Sequence, residues 1–242
     1  KDPARLAEQV RWRLQRMPDW QPWQSLLTDW LVRLLTQPLP LDAAGRGRAP
    51  ESTPDTPVDA GYAPSDEGSS FTLAGLRQYQ VEMSFMLAVQ DIDLPALDAW
   101  VRQHTFSGAA RPPLLPGQLN GMLKGFIDLV FEHEGRFHVL DYKSNWLGAS
   151  DDAYRGETMQ AAVLAHRYEL QYLFYLLALH RLLKVRLPDY DYDRHVGGAL
   201  YLFLRGSGAP SRGVFAARPP RAVIEALDAA FAGQRPLGAD KP

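Results

Sequence analysis

Lys124-Gly-Phe-Ile-Asp-Leu-Val-Phe-Glu-His-Glu-Gly-Arg-Phe-His-Val-Leu-Asp-Tyr-Lys143 reads as two apolar strands, Lys124–Phe131 and Arg136–Lys143, joined by a turn containing Gly135. A two-residue loop at Glu134 and Gly135 is the commonest hairpin connection. It would set His133 opposite Arg136, Phe131 opposite His138 and Asp128 opposite Asp141. Side chains alternate with period 2, so Asp141 and Lys143 share a face, and Asp128, directly opposed, joins them. Opposed Cβ atoms lie roughly 4.5–5.5 Å apart. Two carboxylates at that distance repel unless a cation stands between them. A slip of one residue would part them, so the turn carries the inference.

Magnesium takes oxygen ligands, commonly one or two carboxylates completed by water and phosphate oxygens. The bound metal polarises a phosphate and acidifies water, and a neighbouring lysine can orient that water or offset charge on phosphorus. The pattern alone leaves two readings open: a metal site, or solvent-face charges on an ordinary hairpin. The runs Phe126-Ile127-Asp128-Leu129-Val130 and Val139-Leu140-Asp141-Tyr142 are strongly apolar. Charges embedded in such strands are seldom left unpaired.

Working outward, Gln80–Ala88 alternates as a strand that puts Glu82 on its polar face, a further carboxylate or a solvated one. Residues 94–104 look helical, and 107–117, with three prolines, form a loop. A single long helix is expected from about Met159 to about Arg186, ending before Pro188. On it Arg167, Gln171 and Tyr175 recur every four residues on one face. That polar stripe could contact phosphates and bases, or be satisfied by neighbouring backbone. A last strand is expected at Gly198–Leu204 and a short helix near Arg221–Phe231. The six histidines show no close metal-ligand spacing and read as structural.

Residues 4–37 read as two helices broken at Pro18-Asp19, with Trp12, Trp23 and Trp30 expected in the core. Leu41–Ser70 is rich in Pro, Gly, Ser and Asp, and it cannot bury enough surface to offset its ordering entropy. The organisation is therefore residues 1–40 as helices packing on a core at 73–242, with 41–72 a flexible insertion between them.

The 242 residues suffice for one sizeable core. With no cysteine, disulfides, thiolate zinc sites and a cysteine nucleophile are excluded. The most apolar long stretch, Tyr172–Leu183, contains His180 and Arg181 and is too short to span a bilayer, so no membrane partner is expected. No secretory signal follows Lys1-Asp2-Pro3. A net charge of −2 is low for a protein that holds nucleic acid by charge alone.

Four segments together carry a resemblance: Gly121 through Gly148, Ala165-His-Arg-Tyr-Glu-Leu-Gln-Tyr172, Asp189-Tyr-Asp-Tyr-Asp-Arg-His195 and Tyr201-Leu-Phe-Leu-Arg-Gly206. They resemble the C-terminal nuclease domain of the RecB family, subunits of bacterial helicase–nucleases, over most of the chain outside the insertion. The resemblance implies an α/β fold with a restriction-endonuclease-like PD-(D/E)xK core, a central mixed β-sheet flanked by helices, at residues 73–242. It implies a magnesium-dependent deoxyribonuclease acting in double-strand break processing and homologous recombination; Mn2+ or Ca2+ could also occupy the site.

By the same resemblance Asp128, Asp141 and the Tyr142 carbonyl would be metal ligands, and Lys143 the catalytic lysine. Glu82 would be a further acidic residue, and Gln171 and Tyr175, with Arg167, would contact DNA. Implied partners are single-stranded DNA or duplex ends, the subunits RecC and RecD, and the RecA recombinase, in the bacterial cytoplasm at the nucleoid. Related nucleases hold an iron–sulfur cluster on four cysteines; this chain, having none, is expected to hold no such cluster.

Two departures stand out. The family has a metal-binding histidine in a helix near the start of the domain, and no such segment occurs here. The chain reads as starting just after it, with an incomplete site. The motor domains and any Walker-type loop are missing too, so no ATP-driven activity is expected of this chain. The rival readings are a RecA- or partner-docking module that cuts poorly, and a structural domain that has lost catalysis.

Overall fold

Glu134 and Gly135 both adopt positive φ, 52° and 79°, the signature of the type I′ turn whose twist matches that of flanking strands. Glu132 Oε1 braces the turn by accepting the Gly135 N–H at 2.6 Å. The register follows as expected: His133 pairs with Arg136, Phe131 with His138 and Leu129 with Leu140.

The computed structural model describes residues 2–41 and 69–237. In chain order the elements are α1 (Pro3–Leu14), α2 (Gln24–Thr36), β1 (Leu39–Pro40), β2 (Ser70–Phe71), β3 (Tyr79–Asp93), α3 (Leu94–His104), β4 (Gln118–His133), β5 (Arg136–Lys143), α4 (Gly156–Ala165), α5 (Tyr168–Arg186), α6 (Tyr192–His195), β6 (Val196–Phe203), β7 (Val214–Ala217) and α7 (Arg221–Phe231). A five-stranded sheet runs β3-β4-β5-β6-β7. Only β5 and β6 pair in parallel; the other three pairs are antiparallel. A parallel neighbour requires a long crossover, and α4 and α5 supply it. The sheet is thus mixed and flanked by helices, as the sequence implied.

Each face of the sheet has its own core. One buries Leu87, Val89, Ile127, Val130, Val139 and Tyr201 under α5 and α7, which contribute Leu173, Leu176, Leu177, Ile224 and Leu227. The other buries Leu129, Phe131, Leu140, Leu200 and Leu202 under Leu34 of α2 and Leu39 and Phe71 of the β1–β2 ladder. No helix among the described residues is long and apolar enough to cross a membrane.

Several expectations need correction. The long helix is two: α4 ends at Ala165 and α5 begins at Tyr168, with Arg167 between them at φ 57°. No proline or glycine marks the break; tertiary contacts of Arg167 impose it. The strands predicted at Gln80–Ala88 and Lys124–Phe131 extend into a long two-stranded arm, Tyr79–Asp93 against Gln118–His133. The strand β7 was not read from the sequence at all. Trp12 and Trp23 are not core residues but more than half exposed; Trp30 is part-buried and donates to Ser207 Oγ at 3.1 Å. The proposed insertion falls mostly on residues 42–68, outside the described residues. On either side of it, Ser70 and Phe71 pair with Pro40 and Leu39.

Candidate active site

The β4–β5 ladder stops one pair short of the two aspartates. Its last pair is Leu129 with Leu140. At the next position Asp128 Oδ2 accepts the Tyr142 backbone N–H at 2.9 Å, so a side chain takes the place of the opposing strand. The period-2 alternation breaks here: Ile127 and Val130 lie in the core under α5, while Leu129 lies in the other core. The neighbouring strand is irregular at the same level. Val81 pairs with Leu129 and Met83 with Ile127, and Glu82 between them has φ 48°, an uncommon conformation for a non-glycine residue and one that clusters at functional sites. The sheet therefore splits, with Asp128 on one lip and Asp141, Tyr142 and Lys143 on the other. The predicted register holds, but the carboxylates flank a gap and are not a ladder pair.

Asp141 is buried and its carboxylate is fully engaged. Oδ2 meets Lys143 Nζ at 2.7 Å. Oδ1 accepts the Tyr175 hydroxyl at 3.1 Å and Gln171 Nε2 at 3.4 Å. Burial raises the Asp141 pKa, and the Asp128 charge adds to the rise; hydrogen bonds from Lys143 and Tyr175 oppose it without cancelling it. Burial likewise raises Tyr142, with Asp128 second, which puts that phenol within the carboxylate's field.

Lys143 donates to Gln171 Oε1 at 2.7 Å. Its ammonium lies 3.6 Å from the centroid of the Tyr168 ring and 4.6 Å from that of Tyr201. The Tyr201 hydroxyl donates to the Tyr168 carbonyl at 2.7 Å, locking the two rings together. A desolvated ammonium over an aromatic face gains on the order of 2 kcal/mol. Tyr168 and Tyr201 were not picked out from the sequence. The usable signal was spacing: Tyr168, Gln171 and Tyr175 stand at i, i+3 and i+7 of one helix.

The predicted site residues thus part into two groups. Asp128, Asp141, Tyr142, Lys143, Gln171 and Tyr175 meet at the split. Glu82 sits beside it on β3, exposed. Arg167 turns elsewhere: it pairs with Asp98 at 2.7 Å and Glu169 at 2.6 Å, and donates to the Pro112 carbonyl at 2.7 Å. Gln171 and Tyr175 point inward at Asp141 and Lys143, not outward.

The donors at the split are all oxygens, the set a hard dication prefers. Burial, with the Asp128 charge behind it, makes Asp141 harder to ionise, so an added positive charge would be favourable. Among the described residues no group of three or more His, Asp or Glu side chains could hold an ion. Two carboxylates would suit a metal that keeps waters and substrate oxygens in its shell. The residues present fit such an ion.

Comparison with known proteins gives the chain a family. A family model described as the PD-(D/E)XK nuclease superfamily matches residues 49–236. RecB, a RecBCD enzyme subunit of Escherichia coli, is 42% identical over 214 residues, 87% of this chain. RecB of Haemophilus influenzae is 43% identical over 152 residues, 62% of this chain, and RecB of Mycobacterium tuberculosis 44% identical over 119 residues, 45% of it. The chain spans only 16%, 12% and 11% of these relatives' lengths, respectively.

Proposed function

Since the chain belongs to the PD-(D/E)XK nuclease superfamily, whose members use divalent metal ions, we propose that it is a magnesium-dependent DNA nuclease domain serving double-strand break processing and homologous recombination. Asp128, Asp141 and the Tyr142 carbonyl hold the ion, Lys143 is the catalytic lysine and Glu82 a further acid at the rim. The observation that carries the reading is the buried Asp141–Lys143 pair at the split, held by Gln171 and Tyr175 and faced by Asp128.

The residues divide the work. Tyr175 and Gln171 fix the Asp141 carboxylate by hydrogen bonds to Oδ1. Gln171, Tyr168 and Tyr201 fix the Lys143 ammonium, so its charge stands preorganised beside the scissile phosphate and need not reorient during reaction. When bound, a divalent ion would polarise the phosphate and acidify a water. The Asp128 carboxylate, accepting the Tyr142 N–H, ties the two lips of the split together.

By likeness to RecB, the protein partners are RecC, RecD and the RecA recombinase, and the setting is the bacterial cytoplasm near the nucleoid. The test is direct. Labelled linear single-stranded DNA incubated with the chain and magnesium should be degraded, and chelator should stop it. DNA left intact under both conditions would sink the proposal and leave the docking-module reading.

A further inference from the structure

Three aromatic residues border the split in sequence. Phe126 precedes Asp128 by two, roughly 7 Å along a strand; Tyr142 lies between Asp141 and Lys143; Trp146 follows Lys143 by three. Trp146 is exposed to 67% and Phe126 to 55%, while Tyr142 is only partly exposed, at 38%. Phe126 and Tyr142 share a face. Ile127 lies in the core under α5, and the space where a Gly125 side chain would stand is filled by the Phe85 ring, which packs on Tyr175 of α5; Asp141 and Lys143, flanking Tyr142, reach Tyr175 and Gln171 of α5, so both rings lie on the face turned away from α5. They stand on either side of the gap, Phe126 on β4 and Tyr142 on β5.

The exposure is not a product of loose structure. Trp146 sits between two pinned neighbours: Leu147 N–H donates to the Tyr154 hydroxyl at 3.3 Å, which reaches the Asn145 carbonyl at 3.4 Å, and the Tyr168 hydroxyl donates to Asn145 Oδ1 at 3.3 Å. Phe126 is paired with Ser84 in the arm. Exposed Met86 pairs with Lys124, and Lys124 Nζ stands 5.6 Å from the Phe126 ring centroid. Rings held on anchored backbone with one end in water form a preorganised contact surface.

A strand held at this split must be gripped by something other than the polar stripe, because Arg167, Gln171 and Tyr175 are spent on internal contacts. With a net charge of −2 the chain as a whole offers little attraction for phosphates. Base stacking needs no net charge, and every base offers a face to an aromatic ring. Within a duplex those faces are already covered.

We infer that Phe126, Tyr142 and Trp146 form a stacking platform that holds the unpaired bases of single-stranded DNA at the split, with Lys124 meeting a phosphate. The identity of the strand rests on the nuclease reading above; the platform itself rests on the rings. The test is anisotropy of a 5′-labelled oligodeoxythymidylate with the chain, in chelator, so that neither metal nor cleavage enters. Phe126→Ala and Trp146→Ala should each weaken binding roughly 10- to 100-fold while leaving the slope of affinity against salt unchanged, because no phosphate contact is lost. Phe126→Tyr and Trp146→Phe should restore affinity to within about threefold, since stacking needs only a ring. Duplex affinity should scarcely move.

Alanine variants that bind like the wild type overturn the inference, as does a wild type that fails to bind the oligonucleotide, or ring-retaining variants as weak as the alanines. None of these touches the nuclease reading, which stands or falls on metal-dependent cleavage and its loss on substitution of Asp141.

Discussion

At the residue scale the site is a set of side chains that hold one another before any ligand arrives. Gln171 is the junction: it receives from Lys143 and donates toward Asp141 and Tyr175. Gln171→Leu keeps the volume and removes all three bonds. It should lower the turnover of single-stranded DNA roughly 10- to 100-fold, the usual cost of losing a group that orients metal ligands, with little change in melting temperature; unchanged turnover would remove Gln171 from this role. A second prediction concerns His138, buried in β5 and stacked on Phe131 at 5.0 Å. Burial, aided by His133, Arg136 and Arg218, lowers its pKa from 6.5 to about 3. In the unfolded chain this histidine takes a proton below about pH 6.5, and in the folded chain it does not. Stability is therefore intact above that value and is lost as pH falls toward 3, by up to about 1.4 kcal/mol per pH unit. Denaturant titrations at pH 7, 5.5 and 4.5 should show that slope, and His138→Leu should flatten it by about one proton. The nearness of Asp128 to the Asp141–Lys143 strand was legible because a two-residue turn sets the β4–β5 register; the break in alternation at Asp128 was not, since it depends on how β4 parts from β5. The Tyr168–Tyr201 grip on Lys143 was not, since Tyr201 arrives from a strand 58 residues further along the chain than Lys143.

At the scale of elements, the break between α4 and α5 is held by a charged knot. Arg167 bonds Asp98 and Glu169, and Glu169 and Arg111 pair with both side chains fully buried. Burial alone would push the Asp98 pKa up, but Arg102 and Arg167 outweigh it and hold it low. Arg167→Ala should therefore cost about 1.5–3 kcal/mol of stability in a thermal melt, the usual range for lost hydrogen bonds to charged groups, because Asp98 keeps Arg102 and Glu169 keeps Arg111. If Arg167 were instead a DNA contact, the variant would keep its melting temperature and lose only affinity. The sequence could not announce this break, because helical spacing runs unbroken from Met159 to Arg186 and the cause lies in α3 and the loop before β4. The hairpin and α3 were legible because local turn chemistry or capping fixes them, Asp93 capping α3 by accepting the Ala96 N–H at 2.8 Å, and α7 was legible from its amphipathic spacing. The strand β7 has four residues, too short for a period to show.

At the scale of the whole molecule, two cores on opposite faces clamp one sheet, and the split forms where the β3–β4 arm leaves β5. The second core depends on α2: Leu34 covers Leu129, Leu140 and Leu202. Leu34→Ala should destabilise the chain by about 2–5 kcal/mol, measured by denaturant unfolding, without displacing the Asp141–Lys143 pair on the other face. The overall architecture was readable from the four matching segments; the exposed tryptophans were not, since apolar spacing does not say which face of a helix finds a partner. The central claim is that Asp141, held by Lys143, Gln171 and Tyr175 across from Asp128, makes this sheet a nuclease. The decisive measurement is the rate of magnesium-dependent cleavage of linear single-stranded DNA by the wild type and by Asp141→Ala, matched for folding by thermal melt. A fall of about 100-fold or more is predicted, several kcal/mol of lost transition-state stabilisation; equal rates from the two proteins would contradict the account.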